Sequence, residues 1–172
     1  MSKSTPLFGV LRLLAAYGRE IDTRMRVQKS VYLLKRHGFE EFAKLRFAYF
    51  HYGPYSQQLS EVLRELVAAE LVEEVRQEGS PDQTGYVYRL TCKGEDWLAT
   101  NHVEIPERLA SDTDVLKKSH WRSLELASTV LFLAKERNLS SMEGAFLKAL
   151  ELKPECKEFS PEAKQLVEHF AS

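Results

Sequence analysis

Residues 56–75 read Ser-Gln-Gln-Leu-Ser-Glu-Val-Leu-Arg-Glu-Leu-Val-Ala-Ala-Glu-Leu-Val-Glu-Glu-Val, and residues 86–98 read Tyr-Val-Tyr-Arg-Leu-Thr-Cys-Lys-Gly-Glu-Asp-Trp-Leu. Ser56 offers a hydroxyl to cap a helix N-terminus, and Leu59, Val62, Leu63, Leu66 and Val67 recur at helical spacing as a wide apolar stripe. Leu71 to Val75 is short and β-prone, and Tyr86 to Leu90 alternates as a strand. Between them Gly79-Ser-Pro-Asp-Gln-Thr-Gly85 is a loop, so the two strands form a hairpin with a polar tip. Thr91 then precedes Lys93 to Leu98, which begins another helix and returns Trp97 and Leu98 to the core.

Upstream, Thr5-Pro6 supplies a cap and a first helical residue, and Leu7, Val10, Leu11 and Leu14 share one face. Gly18 stops that helix in a left-handed turn. Thr23 opens a second helix with Val27, Val31 and Leu34 in register, closed by Gly38 after His37. A helical turn is expected around Glu40 to Lys44. The aromatic run Phe47 to Tyr52 has strand character and ends at Gly53-Pro54. The order helix, helix, helix, strand, loop, strand, helix is that of a winged helix-turn-helix.

Downstream, residues 101–114 read as a connector. Residues 116–137 read as one helix, apolar around most of its circumference, which is buried centrally either in the fold or in a homodimer. Ser140-Ser141 caps a shorter helix ending near Leu152 to Pro154, and Ser160-Pro161 opens a last one to Phe170. The expected fold is mainly α (α+β): a winged helix-turn-helix with a small hairpin wing over residues 1–100, a connector over 101–114 and a helical extension over 115–172.

Composition narrows the function. The chain has 172 residues, 44% hydrophobic and 28% charged, as in an ordinary globular protein. It shows no signal-type apolar run and no stretch long enough to span a bilayer, so a cytoplasmic protein is expected. Cys92 and Cys156 lie far apart without metal-type spacing and read as reduced thiols. The five histidines form no His-x-x-x-His or His-Glu-x-x-His pattern, and the single glycines build no phosphate loop. Neither a cofactor, a metal site nor a catalytic constellation is read, and the protein is not expected to be an enzyme.

Two phrases carry a resemblance: Val27-Gln28-Lys29 with Tyr32-Leu33, and Tyr52-Gly53-Pro54-Tyr55-Ser56 with Leu59, Leu63 and Leu66. They resemble the bacterial YwgA-like proteins and the related Panacea (SocA-like) antitoxin domains, and a similar phrase occurs in DarG-type antitoxins. The match covers about residues 21–100, and the tail from Leu124 to Phe170 looks most like the YwgA-like members. Val27 stands where leucine is usual, Ser30 and Val31 replace an aliphatic pair, and Glu70 replaces a frequent glycine. The resemblance implies a binding role, often neutralising a toxin or adapting another protein.

Two partner classes follow. Net charge is −1, but residues 19–46 carry eight basic against four acidic residues, and residues 56–80 two against six. In a winged helix the third helix meets the major groove. Here it offers Gln57 and Gln58, which can read adenine, together with Glu61, Arg64, Glu65 and Glu70, a set that repels phosphate. A protein partner, such as a toxin, is therefore favoured over nucleic acid, and the expected contact residues are Gln28, Lys29, Tyr52, Tyr55, Gln57, Gln58, Glu61 and Arg64. The plainer alternative is that the two tyrosines pack the corner between helices two and three while Gln28 bonds the loop backbone. The basic residues around helix two are expected to form a solvated face.

Overall fold

The computed structural model describes residues 5–51, 53–78, 85–139 and 141–171. Eight α-helices and two small antiparallel sheets are present among them. The chain runs α1 (Pro6–Ala16), β1 (Glu20–Asp22), α2 (Arg24–Arg36), a 3-10 turn (Glu40–Phe42), β2 (Ala48–Phe50) and β3 (Gly53–Tyr55). It continues through α3 (Gln57–Ala68), β4 (Val72–Arg76), β5 (Tyr86–Leu90), α4 (Cys92–Thr100), α5 (Glu107–Lys118) and α6 (Trp121–Glu136). Then come α7 (Met142–Leu152), a 3-10 segment (Pro154–Phe159) and α8 (Ser160–Phe170).

The caps read from sequence are in place. The hydroxyls of Thr5, Thr23, Ser56, Thr91 and Ser141 each accept an amide N–H of their helix's first turn. Gly18 and Gly38, at φ 87° and 88°, end α1 and α2 in the left-handed conformation that costs glycine least. Ser140 and the hairpin tip 79–84 lie outside the described residues.

One sheet has the order β1-β5-β4. β1 is only three residues long and buries a single side chain, Ile21, too little to leave a readable alternation. Its register puts Glu20 opposite Arg89 of β5, which itself lies opposite Glu73 of β4. Arg89 bonds both carboxylates, at 2.8 and 3.1 Å, so one guanidinium laces three strands. β2 and β3 form a separate two-stranded ladder between α2 and α3.

Buried apolar side chains form one cluster from Val10 of α1 to Phe170 of α8. At its centre lies α6, packed on α2, β3, α7 and α8, with Leu124, Leu126, Val130, Leu131 and Leu133 fully enclosed by this chain itself. The face left to solvent is the polar end at Lys135 and Glu136.

Two sequence expectations need correcting. The stretch 101–114 is not all connector, and 116–137 is not one helix. α5 already begins at Glu107, and Ser119 and His120 adopt extended conformations that break the chain before α6. α5 buries only Leu109, Asp112, Thr113 and Leu116, so its apolar signal is thin. The break is held from a distance: Arg26 of α2 donates to the carbonyls of Leu116 (2.9 Å) and Ser119 (3.0 Å).

The basic residues around α2 are likewise only in part a solvated face: Arg19 and Arg24 are exposed, whereas Arg26 and Lys29 are buried. Ten of the thirteen residues of α2 are buried, although it is the most polar of the helices. Three of its cations satisfy backbone carbonyls left open elsewhere: Arg26 at the end of α5, Lys29 on Pro54, and Lys35 on Ala43 and Leu45. Arg26→Ala should therefore cost about 3 kcal/mol in urea unfolding, by leaving two buried carbonyls without a charged donor. Arg26→Lys should recover less than half of that, because a shorter, single-headed ammonium cannot hold both carbonyls and also the Asp22 carboxylate that Arg26 Nε reaches at 3.0 Å.

Candidate functional site

The two sequence phrases meet in space. Gln28 projects from α2 onto Ser56, the cap of α3, and pairs with both of its backbone groups. The side-chain oxygen accepts the Ser56 N–H at 2.8 Å, and the amide donates to the Ser56 carbonyl at 3.0 Å. The same amide reaches Ser60 Oγ at 3.2 Å. The next residue, Lys29, donates from Nζ to the Pro54 carbonyl at 2.8 Å. Gln28 and Lys29 are 3% and 2% exposed, so both hold the β3–α3 corner from within while contributing to the floor of the surface recesses beside it.

Lys29 belongs to a buried charge group. Lys153, just after α7, pairs with Glu125 of α6 at 2.7 Å and donates to the His51 carbonyl at 3.1 Å. Glu125 also receives the Cys156 thiol at 3.8 Å. Two ammonium groups and one carboxylate are thus enclosed together, and the second cation is in excess. Burial foremost, then repulsion from Lys153, pushes the Lys29 amine down to about 7, with Glu125 opposing. Burial, with Glu125 adding, pushes the Cys156 thiol up to about 11, so it is not poised as a nucleophile. Gly53 lets the hairpin approach this group: at φ 96°, a Cβ there would sit 2.5 Å from Thr129 Oγ1 on α6.

Outside this anchor lies a groove. A cleft of about 240 Å³ runs between α2, α3 and the sheet, lined by Arg24, Tyr55, Gln57, Arg64, Glu74 and Tyr88 among others. A neighbouring recess of about 210 Å³ shares Arg24, Gln28 and Tyr55 and continues to Phe50. Phe50 is 56% exposed and stacks near Tyr55, with ring centroids 5.4 Å apart, and Tyr49 is exposed beside it. Tyr55 is half-buried, its hydroxyl 2.7 Å from Ser60 Oγ. Arg24 is held over the Tyr86 ring and donates to Tyr88 and Glu74, while Tyr88 donates to Glu74 at 2.5 Å.

Of the residues expected from sequence, Tyr55, Gln57 and Arg64 line this groove. Gln58 is exposed on α3 and accepts the Arg46 N–H at 2.8 Å, and Glu61 is exposed on the same helix. Tyr52 lies outside the described residues. Sequence reasoning missed Phe50, Arg24, Glu74 and Tyr88 as groove residues. The aromatic run flagged Phe50's neighbourhood, but Glu74 and Tyr88 come together only through the β4–β5 register. Glu65 is exposed on α3, whereas Glu70, expected on the same helix, lies beyond its end at φ 61° and pairs with Lys93 at 3.3 Å.

These features define a mainly helical protein with small antiparallel sheets and an aromatic, polar groove at the junction of α2 and α3. No family model matches the chain. Over 113 residues it is 32% identical to the uncharacterized protein YwgA of Bacillus subtilis (strain 168). The alignment covers 66% of each chain, slightly under two thirds of that relative's length. The chain belongs to the YwgA-like family.

The Lys29 shift gives a signed expectation. Its pKa is lower folded than unfolded, so the unfolded chain binds the extra proton between about pH 7 and 10.5. Its contribution to stability therefore rises with pH across that window. Chemical denaturation at pH 6.5 and 9 should show wild type gaining stability relative to Lys29→Met; equal pH slopes would refute the shift.

Proposed function

We propose that this chain is a non-catalytic binding module, a winged helix with a C-terminal helical extension that engages a protein partner, as an antitoxin or adaptor of the YwgA and Panacea type. The observation that carries this is the groove around Tyr55 and Phe50, an exposed aromatic surface with Arg24, Arg64 and Glu74 in its lining and the exposed carboxylates of Glu61 and Glu65 elsewhere on α3. Rigid aromatic rings beside arginine are the side chains that concentrate binding energy at protein interfaces.

The order α1-β1-α2-α3-β4-β5, with the β2–β3 ladder inserted between α2 and α3, and a β1-β5-β4 sheet support the winged-helix reading, with α3 in the recognition position. In that position α3 offers solvent Glu61 and Glu65 against Arg64. Three cations of α2 are engaged elsewhere: Arg24 with Glu74, and Arg26 and Lys29 with backbone carbonyls. A surface of that charge meets a basic protein more readily than a phosphate backbone. The raised Cys156 thiol supports a non-catalytic role, since it argues against thiol chemistry at the buried cysteine.

Affinity capture from the native host with wild type and with a Phe50→Ser, Glu61→Arg double variant tests the reading. One dominant protein partner should be retained by wild type and weakened at least about tenfold by the variant, as expected when one aromatic anchor and one complementary charge are removed. Tight, salt-steep binding of wild type to genomic DNA, with no such partner, would favour a transcriptional regulator instead.

A further inference from the structure

We infer that His37, Asp112 and His169 form a binding site for one divalent transition-metal ion of the zinc class. The three residues come from three separate helices: His37 caps the end of α2, Asp112 projects from α5, and His169 lies in the last turn of α8. Asp112 is 2% exposed and directs one carboxylate oxygen at each imidazole, 2.7 Å from His37 Nδ1 and 2.7 Å from His169 Nε2. The two ring nitrogens and the carboxylate oxygens lie within 4.8 Å of one another. Two imidazole nitrogens and a carboxylate are a donor set that suits Zn²⁺ and its neighbours, and three protein ligands leave a position for water.

The surroundings fit that use. Phe170 stands against both imidazoles, with ring centroids at 5.5 Å from His37 and 4.7 Å from His169, and Phe39 covers His37 from the other side at 6.4 Å. Such an apolar collar limits competing water. Arg108, the nearby cation, is turned away from the ring nitrogens onto the His37 carbonyl and the Phe39 face. His169 is 38% exposed and gives an ion an entry path from solvent. Binding replaces the two carboxylate–imidazole hydrogen bonds by metal–ligand bonds of about 2.0–2.2 Å, for which each 2.7 Å nitrogen–oxygen contact must open to the roughly 3.3 Å that separates ligand atoms around a tetrahedral ion. The bound ion would clasp α8 to α2 and α5. A second group, Glu125, Glu155 and Cys156, also lies within ligating distance, but Lys153 already occupies Glu125 and the thiol is held protonated.

The ligands stand 75 and 57 residues apart, which is why no local spacing announces them. The test uses tag-free, full-length protein stripped by chelation and titrated with ZnSO₄ by calorimetry, and with CoCl₂ by visible absorption. One equivalent should bind, with a cobalt spectrum of four- or five-coordinate type and a rise in melting temperature. His169→Ala, at a half-exposed position in the last helix, should fold by circular dichroism and bind at least about 100-fold more weakly, beyond the effect of outer-shell changes. His37→Ala serves as the second variant. Failure of wild type to bind, or equal binding by wild type and both folded variants, would overturn the site and leave a hydrogen-bonded clasp.

Discussion

Everything built on the α2–α3 corner depends on a glutamine amide acting as a piece of backbone. Gln28 gives Ser56 one donor and one acceptor, as a neighbouring strand would. Ser56 must simultaneously end β3 and cap α3 with its hydroxyl, so its own N–H has no regular partner in either element, while its C=O accepts the Ser60 N–H at 3.3 Å as the first bond of α3. A buried peptide group left in that state costs about 1–3 kcal/mol for each missing bond. The same logic explains why the most polar helix of the protein is also among the most enclosed. Arg26 and Lys29 are inside, and Lys35 half-buried, because backbone carbonyls at chain breaks need donors there.

From that anchor the outer surface follows. Fixing Ser56 sets the axis of α3, and fixing Pro54 sets the β2–β3 ladder that carries Tyr49 and Phe50 into solvent. Gly53 brings the ladder against α6, where Glu125 and Lys153 neutralise one another beneath it. The aromatic groove and the buried charge group are two faces of one construction. A partner gripping Phe50 and Tyr55 would press directly on elements joined to α2, α6 and the segment after α7. The C-terminal helices accordingly share the core of the N-terminal part.

Much of this was legible in the residues. Caps such as Thr23, Ser56 and Thr91 combine with apolar periodicity, so the helices from α1 to α4 and the β4–β5 hairpin could be placed within a residue or two. What could not be read depends on partners distant in sequence. β1 exists because β5 offers it an edge. α5 is separated from α6 because Arg26 holds the break. The charge of residues 19–46 looked like a surface property, yet counting cations cannot show which of them will meet a carbonyl indoors. Gln28 and Lys29 drew attention as a motif, and the bland alternative, that Gln28 bonds the loop backbone, describes its place. Tyr55, Gln57 and Arg64 line a groove, whereas Arg24, Glu74 and Tyr88 required the sheet register.

Amide hydrogen exchange at Ser56, followed by NMR under native conditions, probes this construction most directly. A residue between a three-residue strand and a helix cap would ordinarily open by local fluctuation. If Gln28 clamps it as described, the Ser56 N–H should exchange only through global unfolding, with the same free energy as the amides of α2. Exchange through a much cheaper local opening, while α2 stays protected, would contradict the account.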